Sequence, residues 1–133
     1  MTKPIILDSF ALIAYFRAEP ASQKVIHYLQ LAQSGKVILF LTYINLAGVY
    51  YKTIRESGID KGKEILAILK ALPVNIVSLS NELVLHAAEI KAAHPMSFAD
   101  CFATALALEN HATILTGDTE FKSVEKLVQI IWL

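Results

Sequence analysis

The chain has 133 residues, 55% of them hydrophobic, with twelve Lys/Arg against twelve Asp/Glu. The length suits one domain over residues 1–133 with a single sizeable core. Balanced charge argues against an indiscriminate polyanion binder, which carries a basic excess, so any contact with a polynucleotide must rest on a local patch. Hydrophobic content above the usual figure of about 45–50% predicts a partner that covers part of the surface. The single cysteine, Cys101, allows no internal disulfide and reads as a small buried hydrophobe in an apolar helix. No basic and apolar leader opens the chain, and the apolar run from Val37 to Tyr51 is shorter than the roughly 20 residues of a membrane span. A cytoplasmic location with no membrane contact is expected.

Strand and helix signals alternate along the chain. Residues 3–8 predict a first strand, apolar throughout as a sheet covered on both faces requires. Ser9 is placed to cap a short helix over 10–17. Pro20 suits the first turn of a second helix, ended by Ser34-Gly35. Residues 36–41 predict the second strand, and Thr42 caps a helix that Gly58 stops. Asp60 is expected to cap the next helix, which ends before Pro73. Residues 74–78 form the third strand, and Ser80 starts a helix that His94-Pro95 terminates. Ser97 caps the helix bearing Asp100, residues 112–116 form the fourth strand, and a turn of helix follows Asp118. Residues 128–132 close the sheet. This order predicts an α/β fold, a three-layer α/β/α sandwich around a mainly parallel sheet.

Three aspartates stand where an acid carries chemistry. Asp8 and Asp118 follow the first and fourth strands, and sites in parallel α/β sheets form beyond the carboxyl ends of strands. Asp100 opens the nearly uncharged stretch Cys101 to Leu108. Each is also able to act as a helix cap, and Ser97-Phe98-Ala99-Asp100 has capping-box spacing, with the acid reaching back to the cap's own amide. If the three converge away from water, their repulsion requires a cation. Without a set of His or Cys ligands, that ion is Mg2+ or Mn2+, which prefer oxygen. His94, before Pro95, is a solvated loop residue within reach of the region. Gly-Lys pairs at 35–36 and 62–63 lack a phosphate-loop context.

Four segments then come together. Ile5-Ile6-Leu7-Asp8-Ser9, Asn45-Leu46-Ala47-Gly48-Val49-Tyr50-Tyr51, Ser97-Phe98-Ala99-Asp100 and Leu115-Thr116-Gly117-Asp118-Thr119-Glu120-Phe121 resemble, in order, the motifs of the PIN-domain ribonucleases. The nearest likeness is to VapC-type toxins of type II toxin–antitoxin pairs. The resemblance covers nearly the whole chain. It implies a PIN-like fold and a Mg2+- or Mn2+-dependent endoribonuclease with Asp8, Asp100 and Asp118 as catalytic metal ligands. It further implies that Ser9, Ser97 and Thr116 orient those carboxylates or water. The partners it implies are an RNA substrate, a cognate antitoxin whose helix occupies an apolar groove, and a second copy of the chain in a homodimer.

The family's second acid, normally Glu, falls at Gly48. Glycine within a helix costs about 1 kcal/mol relative to alanine, so its presence needs a reason: a lost ligand, natural or engineered, or close helix packing. Glu120, two residues past Asp118, is a partial substitute on one reading and a helix-dipole partner on the other. Lys52 and Arg55 fall four and seven residues after Gly48, on one helix face. With Arg17 and Lys122 they form the candidate RNA-binding set. One member of each pair Tyr15-Phe16 and Tyr50-Tyr51 packs in the core, and the other is free to join an interface. The competing function is a catalytically inactive PIN-like module that binds protein or RNA. A phosphatase of the haloacid dehalogenase type is disfavoured by Phe10, where that chemistry needs a second Asp, and the acidic pair and late Lys of a receiver domain are not evident.

Overall fold

The computed structural model describes residues 2–133. Strand β1 (Lys3–Leu7) leads through helices α1 (Ser9–Phe16) and α2 (Ser22–Gln33) to β2 (Val37–Thr42). Helices α3 (Tyr43–Ser57) and α4 (Ile59–Ala71) connect to β3 (Asn75–Val77), and α5 (Asn81–Ala93) and α6 (Phe98–Asn110) to β4 (Thr113–Thr116). A 3-10 helix (Thr119–Val124) precedes β5 (Ile130–Trp132). The strands form one sheet in the order β3-β2-β1-β4-β5, parallel at every pairing.

Two hydrophobic clusters cover the two faces. Period-two alternation in β1 sends Ile5 and Leu7 to one side and Ile6 to the other. Ile5 and Leu7 pack with Leu12 of α1, Val25 and Leu29 of α2, Leu46 and Val49 of α3, and Ile65 and Leu69 of α4. Ile6 packs with Leu83, Ala87 and Ile90 of α5, with most of α6, and with Phe121 and Val124 of the 3-10 helix. The result is a three-layer α/β/α sandwich. From β1 the strand order runs to β2 and β3 on one side and to β4 and β5 on the other. The carboxyl ends of β1 and β4 therefore flank the point where the order reverses, where a crevice opens in such sheets. Among the described residues no helix is long and apolar enough to cross a membrane.

Three local assignments differ from expectation. Asp8, not Ser9, is the N-cap of α1, with its Oδ1 accepting from the Ala11 amide at 3.0 Å. The helix starts one residue early because the carboxylate is fixed by the sheet next to it. Gly58, at φ 90°, is the N-cap of α4, so Asp60 lies in the first turn and complements the helix dipole instead of capping. Only glycine reaches this backbone easily, and it lets α3 pass directly into α4. Pro20 sits in the turn before α2 and not in its first turn. As expected, His94 leaves the helical region ahead of Pro95, at φ −137° and ψ 140°.

Candidate acidic centre

Asp8 leaves β1 almost completely buried, at 1% exposure. Its Oδ1 is engaged by the Ala11 amide, and its Oδ2 accepts from the Thr116 hydroxyl at 2.5 Å. Thr116 ends β4, one residue beyond the pair Leu7 and Leu115. The same hydroxyl oxygen accepts the Asp118 amide at 3.0 Å. One side chain at the end of β4 thus fixes the carboxylate of one acid and the backbone of another. Asp118 is the N-cap of the 3-10 helix, its Oδ1 accepting from the Glu120 amide at 2.9 Å.

Asp100 arrives from the other side, in the first turn of α6. Ser97 caps this helix by accepting the Asp100 amide on Oγ at 3.2 Å. The reciprocal half of the capping box is not made by Asp100. The Ser97 amide donates instead to Glu120 Oε1, at 2.9 Å. Asp100 itself is buried, at 4% exposure, and its Oδ2 has no hydrogen-bond partner.

One carboxylate oxygen from each of Asp8, Asp100 and Asp118 lies within 4.8 Å of the others. Among the described residues no His or Cys joins them, and His94 stays at the end of α5. Burial lifts the Asp8 carboxyl from 3.8 to about 6; the Thr116 and Ala11 hydrogen bonds work against the rise, and the charge of Asp118 adds to it. Burial also lifts Asp100, to about 8, reinforced by the charge of Asp118, by hydrogen bonding to it, and by Asp8 and Glu120. Near neutrality the metal-free cluster therefore holds a proton on Asp100. An unpartnered buried carboxylate oxygen among three converging acids is a donor set that a hard divalent cation fits.

Gly48 faces this centre through Ser9. A Cβ at position 48 would stand 3.3 Å from Ser9 Cβ and 3.4 Å from its Oγ. The helix therefore approaches Ser9 closely, and an acid there would have to displace that side chain by a few tenths of an ångström. Gly117 makes a stricter demand. A Cβ on it would lie 2.4 Å from Cε1 of Phe10, whose ring rests on the glycine beside Asp118.

A cavity of about 300 Å3 adjoins the acids, lined by Ser9, Phe10, Ile13, Arg17, Glu19, Lys52 and Asp118. Two of the four candidate basic residues, Arg17 and Lys52, lie there. Arg17 is also ion-paired with Glu56. Arg55 lies over the ring of Tyr51, 5.2 Å from its centroid, and Lys122 is exposed on the 3-10 helix; neither lines the cavity. Cys101 is fully buried. Tyr51 is exposed while Tyr50 is half-buried.

Asn45 was legible only as part of a motif. Fully buried, it donates from Nδ2 to Thr42 Oγ1 at 2.7 Å and to the Ala99 carbonyl at 3.4 Å, and its Oδ1 has no partner. It ties the start of α3 to the turn carrying Asp100. The signal available was an amide inside an apolar helical stretch, which must find partners when buried.

Comparison with known proteins agrees with this architecture. The PIN domain family model matches residues 5–127, and the chain belongs to that family. Among solved structures, DNA-bound VapBC from Salmonella typhimurium superposes with a TM-score of 0.77 at 15% identity, covering 98% of both chains. VapBC2 from Rickettsia felis, bound to a promoter DNA fragment, gives 0.73 at 16% identity, covering 96% of this chain and 97% of the other. VapC20 from Mycobacterium tuberculosis, a toxin that cleaves the sarcin-ricin loop, gives 0.72 at 17% identity, covering 90% and 94%. Among curated protein sequences none matches the chain.

Proposed function

We propose that this protein is a Mg2+- or Mn2+-dependent endoribonuclease, the toxin of a type II toxin–antitoxin pair. The observation that carries the reading is the convergence of the Asp8, Asp100 and Asp118 carboxylates to within 4.8 Å at the crevice between β1 and β4. Membership of the PIN domain family supports it, as do neighbours that are VapBC complexes and a toxin that cleaves the sarcin-ricin loop. We read residues 1–133 as one domain acting in the cytoplasm as a homodimer and inhibited by a cognate antitoxin.

Asp8, Asp100 and Asp118 would hold the ion. When bound, it lowers the pKa of a water molecule and offsets negative charge on the attacked phosphate. Thr116 holds Asp8 and Asp118 in register, and Ser97 does the same for Asp100. Arg17 and Lys52, lining the cavity beside Asp118, draw the RNA backbone toward the acids. Phosphate contacts of this kind position a strand and do not read its sequence.

Gly48 favours a second reading, a PIN-like module that binds but cleaves poorly. With one acid fewer than the family pattern, the cluster attracts a cation less strongly, so weak metal affinity and low activity are expected for the chain as it stands. A cleavage assay on structured RNA with Mn2+ separates the two. Metal-dependent cleavage lost in Asp8→Asn supports the nuclease. Retained RNA or antitoxin binding with no cleavage in either protein supports the binding module.

A further inference from the structure

We infer that Glu120 is a positioning residue: it occupies the Ser97 amide that Asp100 would otherwise claim, and so keeps the Asp100 carboxylate in the acidic centre. The inference rests on the nuclease reading for its functional consequence, but its structural part stands alone.

The spacing Ser97-Phe98-Ala99-Asp100 places Asp100 at the helix position from which an acid normally reaches back to the amide of its own cap. Half of that arrangement is present, since Ser97 Oγ accepts the Asp100 amide. The other half has been handed to a residue twenty-three positions along the chain, as Ser97 N donates to Glu120 Oε1 at 2.9 Å. The displaced carboxylate turns inward. Its Oδ2 is buried with no hydrogen-bond partner, and one of its oxygens joins the cluster with Asp8 and Asp118.

Glu120 is in turn tied to the third acid, because its own amide donates to Asp118 Oδ1. A continuous path therefore runs from the Asp118 carboxylate through Glu120 and Ser97 to the Asp100 backbone. It links the 3-10 helix after β4 to the first turn of α6, the two elements that supply Asp118 and Asp100. Glu120 is exposed, and its Oε1 is held by the Ser97 amide. Its role is to relieve Asp100 of a capping duty.

The test compares Glu120→Ala with Glu120→Gln. Gln keeps an oxygen acceptor for the Ser97 amide, whereas Ala removes it. In Glu120→Ala, a crystal structure of the metal-free protein should show the Asp100 carboxylate rotated back onto the Ser97 amide. Calorimetry should show Mn2+ affinity reduced about tenfold, the loss typical of removing an outer partner of a metal ligand. Glu120→Gln should keep Asp100 in place and affinity within about twofold of the parent on the same scale. An Asp100 carboxylate that stays in the cluster in Glu120→Ala overturns the inference. So does a Glu120→Gln protein as weakened as the alanine variant, which would make charge and not capping the contribution. If the parent itself binds no Mn2+, the metal reading fails, while the position of Asp100 in the two crystal structures still decides the positioning role.

Discussion

Thr116 and Asp8 meet across neighbouring parallel strands: the Thr116 hydroxyl donates to Asp8 Oδ2 at 2.5 Å, one residue past the last pair of the β1–β4 ladder. Because that oxygen also accepts the Asp118 amide, it is the shared pivot of two acids. Thr116→Val keeps the shape and removes both bonds. It is expected to lower Mn2+ affinity about tenfold and to raise the Asp8 carboxyl further. Thr116→Ser should restore affinity by calorimetry; if Val and Ser variants bind alike, the hydroxyl has no orienting part.

Protonation sets the stability of the metal-free protein. The Asp8 and Asp100 carboxyls stand at about 6 and about 8 in the folded chain, above the ordinary 3.8. The folded state therefore binds protons more tightly than the unfolded one. The electrostatic penalty is absent below about pH 4 and grows as pH rises through these values, so stability should fall from pH 5 to pH 8. Thermal melts in chelator at the two pH values read this directly, and Asp100→Asn should flatten the dependence and raise the melting temperature at pH 8. Mn2+ affinity should move oppositely, rising with pH as the competing protons leave. A melting temperature independent of pH contradicts the burial of these charges.

Gly48→Glu is expected to raise Mn2+ affinity and RNA cleavage together, since it adds a carboxylate beside Ser9. The introduced Cβ falls 3.3 Å from Ser9 Cβ, so a small loss of stability should accompany the gain. Calorimetry and cleavage assays on parent and variant decide the matter. Equal affinities remove position 48 from the metal chemistry.

Gly117→Ala drives a methyl into the Phe10 ring, at 2.4 Å in the present geometry. Overpacking of a core costs about 1–3 kcal/mol, and the low end of that range is expected here because the Phe10 ring is partly exposed. Adding Phe10→Ala removes the obstacle, so the double variant should be less destabilised than the sum of the two single changes. Additive losses in denaturant unfolding mean that the ring can move aside freely.

Salt dependence of RNA binding separates the basic residues. Lys52→Ala should reduce the slope of log affinity against log salt by about 0.7, the value for one phosphate contact on a single strand. Arg55→Ala and Lys122→Ala should leave the slope unchanged, because Arg55 is stacked on Tyr51 and neither side chain lines the cavity. Equal effects at all three positions point to diffuse attraction without a defined path.

Strand and helix order were readable from the sequence because each apolar run has a clear period and punctuation. Asp8 and Asp118 both follow predicted strands, so a shared site beyond the carboxyl ends was readable once a parallel sheet was inferred. The adjacency of β1 and β4 that brings them together was not. What escaped notice depends on contacts between distant segments. Ser9 and Asp8 are both competent caps, and only the fixed position of Asp8 at the sheet end chooses between them. Asp100 has capping-box spacing, yet Glu120 takes the amide, a substitution that no local window contains. Lys52 and Arg55 share a helix face by counting, but Tyr51 draws the guanidinium away. Asn45 draws its meaning from the carbonyl of Ala99, which lies on a different helix.

Helix α6 is buried at every position from Asp100 to Ala107, whereas the 3-10 helix carries several exposed residues. Amide exchange in α6 should accordingly require the molecule to come apart as a whole, while the turn beyond β4 opens in small excursions of its own. The two sides of the acidic crevice should therefore differ in local stability, with the Asp100 side the more protected. If the crevice takes up a strand, the turn after β4, and not α6, is the side expected to give way.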